Sequence, residues 1–318
     1  METASYASLR GHERSRRIAS ASGSAPTSIA ATLLTLLFDG IAYGMLLFVL
    51  AVGLAVTLGL MNFINLAHGA FAMAGGYITV LLMNRAGVPF VACLPLAFIG
   101  TALLGALLER TLYRPMYARP HLDQVLFSIG LVFMAVTAVD YVVGSMQQNI
   151  TLPPWLQGRL PIEAVGIGKY RLFIIVICSA LTVLLQWVLS RTRFGSRLRA
   201  AVDDPRVAGG LGLDVNRIFL LTFAVGSGLA GLGGALGAEV LGLDPTFPLK
   251  FMIYFLIVVS VGGTTTITGP LVAALLLGIA DVAGKYYVPT LGAFIVYCLM
   301  IAILTLRPQG LFARAGSR

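Results

Sequence analysis

IAATLLTLLFDGIAYGMLLFVLAVGLAVTLG, residues 29–59, carries one charged side chain, Asp39, in a run of otherwise apolar and small residues. Crossing a hydrocarbon core of about 30 Å takes about 20 helical residues, so this run is more than one span needs and fits a tilted helix or a span with an interfacial beginning. Further apolar segments follow at about 67–83, 88–108, 125–143, 171–190, 217–238, 251–262, 267–284 and 291–306. None shows the period-two alternation of an outer-membrane barrel strand, so backbone groups in lipid must be satisfied within helices. Segment 251–262 is too short to cross alone and reads as re-entrant, which leaves eight or nine crossings. The pattern predicts an all-α polytopic membrane protein.

Composition agrees. Of 318 residues, 58% are hydrophobic and only 11% charged, against about 25% charged in a typical soluble domain, which excludes a water-soluble enzyme. The net charge of +9 comes from 22 Lys and Arg against 13 Asp and Glu. These cations fall between the apolar runs and not on a folded basic face, so they argue for topology rather than a nucleic-acid partner. Cys93, Cys178 and Cys298 each sit inside an apolar stretch with no CxxC spacing, the pattern of packing residues and not of a metal site.

Residues 1–28 are rich in Ser, Ala and Arg and read as a flexible basic tail, retained because its small-residue stretch precedes the apolar run where a cleavage site would follow one. The helical membrane body spans 29–312, followed by a short tail at 313–318. Arginines concentrate at 109–124 (Arg110, Arg114, Arg119), at 191–217 (Arg191, Arg193, Arg197, Arg199, Arg206, Arg217) and at the C-terminus (Arg307, Arg314, Arg318). The positive-inside rule places those three stretches in the cytoplasm. Nine full crossings would then leave the basic N-terminal tail outside, so either one segment does not cross or the tail departs from the rule.

No GxxxxGK[ST] loop is present, and GIGK at 166–169 lacks its upstream spacing, so the chain is not expected to bind ATP itself. His68 has no nucleophile with an orienting carboxylate nearby, and Asp39, Asp140 and Asp281 are far apart in sequence, so no catalytic set is expected. Asp140 and Asp281 read either as helix-end residues in water or as path residues. Two interruptions break the apolar pattern. In MNFINLAHGAFAMAGGY, 61–77, Asn62, Asn65 and His68 recur every three residues and share one side of a helix or turn. In VGGTTTITGP, 261–270, the glycines permit unwinding, and Thr264, Thr265 and their neighbours can satisfy the freed backbone. Asn62, Asn65, His68, Thr264 and Thr265 therefore either line a solute path or cross-link packed helices.

The stretch RTRFGSRLRAAVDDPRVAGGLGLDVNR, 191–217, is too long for a plain connection. Asp203 or Asp204 can cap a short helix with Pro205 in its first turn, ended by Gly209, Gly210 and Gly212. Such a helix against the cytoplasmic face is either offered to a partner or merely part of a topology-fixing basic loop.

NFINLAHG at 62–69, ERTLYRP at 109–115, the 191–217 stretch, VGGTTTITGP at 261–270 and LRPQGLF at 306–312 occur in one order over about residues 35–312. Together they resemble the LivH-type permease subunits of ABC importers for branched-chain amino acids. The resemblance implies a non-catalytic helical subunit of the bacterial cytoplasmic (inner) membrane that works by alternating access. It implies a LivM-like second permease, LivG/LivF-like ATPase subunits that hold ATP and Mg, and a solute-binding protein outside; this chain itself holds no cofactor or metal. Residues 200–212 match the family's ATPase-coupling segment, which carries the coupling role over to Asp204, Arg206, Ala208 and Gly212. Gly209 and Gly210 replace bulkier apolar residues of the family, so a looser or shorter docking helix is expected, and the three threonines at 264–266 replace a further glycine. Branched-chain amino acids are the family default for the solute; urea, short amides and aromatic or other small carboxylates are alternatives. A stand-alone channel or secondary transporter is the reading from another class.

Overall fold

The computed structural model describes residues 29–61, 63–160, 166–263, 266–307 and 310–311. Every apolar segment is a helix: α1 (Ile29–Met61), α2 (His68–Ala86), α3 (Phe90–Leu108), α4 (His121–Val143), α5 (Lys169–Arg191), α8 (Val215–Leu241), α9 (Phe247–Gly262), α10 (Thr268–Tyr287) and α11 (Gly292–Leu306). The stretch 191–217, expected to hold one short helix, holds two: α6 (Arg193–Asp203) and α7 (Pro205–Gly210). The additional one, α6, starts because the Thr192 hydroxyl accepts from the Gly195 amide, and it persists because Phe194, Leu198 and Ala201 fall on one face. Beyond α3 the chain does not become a loop at once. It continues through a π-turn (Glu109–Tyr113) and a 3₁₀ turn (Arg114–Met116).

Six of these helices are long and apolar enough to cross a bilayer. The 16 residues of α9 rise only about 24 Å, short of the hydrocarbon thickness. With α10 it forms a hairpin, closed where Gly262 lies against Gly269 and Pro270 too tightly for any side chain.

The centre of the molecule is α8, whose glycines let neighbouring backbones come within contact. It packs on α1, α2 and α3, while α1 packs on α10 along its other flank. A Cβ built on Gly75 of α2 would run into the backbone of Gly231, and one on Gly234 into the carbonyl of Ala72. Without a hydrophobic force to drive apolar helices together in lipid, close van der Waals approach through small residues is what holds such a centre. The middle of α1, from Met45 to Leu54, is buried throughout, so its length serves burial as well as crossing. Helices α4 and α5 form the rim and turn Leu126, Phe133, Met134, Val183 and Trp187 outward. Tyr170 anchors the rim to the centre by donating to the Leu236 carbonyl (2.6 Å).

Direction follows from α5. Its last turn, at Arg191, leads into the arginine-bearing pair α6 and α7, and its first turn lies about 34 Å away. At that first-turn end Arg171 pairs with Asp39, and the Gly166 amide donates to the Thr35 hydroxyl. The beginning of α1 therefore lies on the face opposite the arginine-rich one, and α1 enters from there. The tail before it, 1–28, falls outside the described residues, as do 312–318.

The Gly75–Gly231 crossing is testable. Gly75→Val is expected to abolish the monodisperse size-exclusion peak in mild detergent, whereas Gly130→Ala on the rim, where a Cβ would meet nothing within 4 Å, should leave it unchanged.

Candidate functional site

The first interruption is a backbone break, residues 63–67, between α1 and α2, and its polar groups are met by a distant stretch. Gln124 Oε1 accepts from the Ile64 amide (3.3 Å), while its Nε2 donates to the carbonyls of Arg119 and Met116. The Tyr113 hydroxyl donates to Asn65 Oδ1 (3.0 Å), and Tyr113 itself is fully buried. Phe63 stands edge-on to both Tyr113 and Tyr117, and Tyr117 reaches Phe219 at the start of α8 (6.0 Å between centroids). Glu109, buried in the widened turn, accepts from the Tyr117 hydroxyl (3.1 Å). NFINLAHG and ERTLYRP, two separate motifs in the sequence, are thus the two halves of one contact.

His68 begins α2 and donates from Nε2 to the Leu50 carbonyl of α1 (3.0 Å), with its ring against Phe255. Asn65 and His68 are both buried in this packed junction, where their polar atoms bind other parts of the chain. Asn65 Nδ2 lacks a partner among the described residues. Asn62, Thr264 and Thr265 lie outside the described residues. Around the latter two, the second interruption is closed by the C-terminal motif: the Leu311 amide donates to the Val261 carbonyl (2.8 Å), and Gly310, at φ 88°, lies against Gly263, at φ 81°.

The elbow of α6 and α7 is the second constellation. Asp204 caps α7 by accepting from the amides of Arg206 (2.9 Å) and Val207 (3.0 Å) through one carboxylate oxygen, and Pro205 occupies the first turn. Gly212, at φ 83°, makes the turn that returns the chain to α8. Asp203, the other capping candidate, closes α6 instead. Ala208 faces inward and forms a small separate core with Leu198, Ala201 and Ile218. Arg206, Val207, Gly209, Gly210 and Leu211 face outward, with Val207 58% and Leu211 78% exposed. The resemblance carries the coupling role to Ala208; the helix turns this residue into the core and presents its neighbours. Despite its two glycines, α7 extends to Gly210.

A third site went unforeseen. At the end of the molecule opposite the elbow, a cleft of about 400 Å³ opens among α1, α5, α9, α10 and the end of α8. Asp39 pairs with Arg171 across α1 and α5, and Asp281 pairs with Lys285 one turn on along α10 (2.6 Å). Asp281 is only 2% exposed, which places it inside the protein and not at a helix end in water. The Tyr254 hydroxyl approaches its other oxygen at 3.5 Å. Leu46, Ile174 and Val282 supply apolar wall. Asp140, by contrast, sits at the end of α4, where it accepts from Ser145 (2.6 Å) on the exposed surface. The i,i+4 spacing of Asp281 and Lys285 was the one signal of the cleft in the sequence; the Asp39 to Arg171 pairing joins positions with no local pattern.

Residues 36–304 match the profile of a family described as the permease component of the branched-chain amino acid transport system. The chain is 28% identical over 295 residues to the high-affinity branched-chain amino acid transport system permease protein BraD of Pseudomonas aeruginosa, covering 87% of this chain and 95% of that one. It is 25% identical over 293 residues to the corresponding LivH of Escherichia coli, covering 87% and 94%. To the permease protein LivM of Escherichia coli it is 26% identical over 294 residues, covering 84% and 68%. No solved structure gives a significant match.

The junction at Asn65 predicts a measurable cost. Tyr113→Phe removes the one donor found among the described residues for a buried amide oxygen and should destabilise the detergent-solubilised protein by about 1–3 kcal/mol, read as a lowered unfolding midpoint. Asp204→Ala should cost about 1 kcal/mol locally, read as faster amide exchange in α7 alone.

Proposed function

The chain belongs to the branched-chain amino acid transport permease family, and we propose from that premise that it is a permease subunit of an ATP-driven ABC importer that moves branched-chain amino acids inward by alternating access. In this reading it lies in the bacterial cytoplasmic membrane beside a LivM-like second permease. LivG/LivF-like ATPase subunits carrying ATP and Mg dock below, and a solute-binding protein delivers the solute from outside. The chain itself contributes no hydrolytic chemistry.

The observation that carries the reading is the elbow. A helix on an arginine-rich, water-facing end has no solubility reason to expose two large aliphatic side chains, and Val207 and Leu211 stand out beside Arg206. A protein groove that covers them gives the helix a partner. The inward face is built to transmit force: Ala208, Leu198 and Ala201 pack on Ile218, so displacement of α7 moves the start of α8, the helix on which α1, α2 and α3 rest. ATP-dependent closure of an ATPase dimer would bind one elbow position better than the other and bias the transmembrane arrangement through that difference in affinity. A stand-alone channel or secondary transporter has no use for such a surface. Among the solutes considered, the family favours branched-chain amino acids over urea, amides and simple carboxylates.

Burying an aliphatic side chain is worth about 1.5–3 kcal/mol, so Val207→Asp combined with Leu211→Asp should weaken ATPase association by roughly a hundredfold or more. ATPase chains should then no longer co-purify and uptake should stop, with the permease still present in the membrane at the normal level. Arg206→Glu should reduce both more mildly. Wild-type uptake by the double variant would remove the elbow from the mechanism.

A further inference from the structure

We propose that the cleft opposite the elbow is a solute station selective for molecules that carry both an ammonium and a carboxylate group beside an aliphatic side chain. The proposal rests on the importer reading and assigns to it a site and a basis for discrimination.

The cleft contains two carboxylates, Asp39 and Asp281, and two cations paired to them, Arg171 and Lys285. Lys250 also lines it but is held by Asp244. Asp281 is almost completely buried, and Asp39 Oδ1 is covered and has no donor among the described residues. The cationic partners are far more exposed: the side chains of Arg171 and Lys285 are 43% and 55% exposed to solvent. Lys285 also lies over the Tyr43 ring at 5.6 Å, which gives its ammonium a second resting place within the cleft.

These asymmetries decide which solute can enter. A lone anion that drew Arg171 or Lys285 away would strand a carboxylate in a partly desolvated wall, where an uncompensated charge is costly. A lone cation that took an aspartate would release a guanidinium or ammonium with nothing to pair. A neutral amide or urea would compensate neither. A zwitterion inserts between the partners of a pair: its ammonium replaces the cation at the aspartate, and its carboxylate receives the displaced arginine or lysine. Every charge keeps an opposite neighbour throughout, and the exchange proceeds without an unpaired intermediate. The volume of about 400 Å³ lies within the range of small-molecule sites, and Leu46, Ile174 and Val282 offer an apolar side chain somewhere to lie. Urea, short amides and simple carboxylates lack one or both charged ends.

The experiment uses the assembled importer, permeases with ATPase subunits, in nanodiscs without the binding protein. Labelled L-leucine is displaced by unlabelled leucine, by isovalerate, which lacks the ammonium, by isoamylamine, which lacks the carboxylate, and by the neutral isovaleramide. Leucine should compete roughly tenfold or more better than each of the others, the scale set by one charge-assisted hydrogen bond. Equal competition by any of the three, or no saturable leucine signal, overturns the proposal. In proteoliposomes with binding protein supplied, Asp281→Asn should lower leucine uptake by a similar factor while ATPase chains still co-purify. Should Asp39→Arg alone abolish uptake and the charge-swapped pair Asp39→Arg with Arg171→Asp restore it, the pair is a strut and the station is refuted; continued loss supports the station. ATP-driven uptake that is indifferent to these substitutions removes the station and leaves the importer reading standing. A permease that captures no ATPase chains removes the importer reading instead.

Discussion

Inside hydrocarbon, a peptide group that leaves a helix must find its hydrogen bond within the protein, because neither water nor lipid supplies one. Two breaks among the described residues, at 63–67 and at 263 and 266–267, expose that constraint, and much of the remaining architecture answers to it. At the first, Gln124 from the start of α4 accepts from the Ile64 amide, and Tyr113 from the widened end of α3 holds the Asn65 side chain. The second is met by the C-terminal turn at Gly310 and Leu311. Residues far apart in the chain are brought to each break, and they fix how α1 meets α2 and how α9 meets α10.

That constraint also explains how much could be read in advance. The number and place of the apolar helices follow from hydropathy because lipid permits little else, and the cap of α7 follows from Asp204 and Pro205 because capping is local chemistry. Asn65 and His68 were visible as polar residues in an apolar run, but their partners were not, since a phenol 48 residues away and a main-chain carbonyl leave no mark in the local sequence. The cleft was hidden for a related reason. Asp39 reads as one charge in a long span and Arg171 as one more loop cation, and only the fold places them together. The inward turn of Ala208 was hidden too, because the register of a six-residue helix depends on where its cap begins and on what lies behind it.

The elbow and the first break are mechanically continuous. Ile218 belongs to the elbow's small core, and Phe219 beside it touches Tyr117, which packs on Phe63 in the first break. A shift at α7 therefore bears on the start of α8 through aliphatic packing and on the bend between α1 and α2 through aromatic contacts. No polar relay is required, which suits a region where exposed polar groups are costly.

The glycine crossings of α8 have a consequence for how this scaffold can change over generations. Where a single added methyl collides with a neighbouring main chain, the centre of the molecule has no room for gradual drift, and novelty has to accumulate elsewhere. The cleft walls and the outward residues of α7 carry no such steric lock. New cargo and new motors are therefore expected to be acquired at the two poles while the middle stays frozen, so that a lineage diversifies at its ends and keeps a common spine.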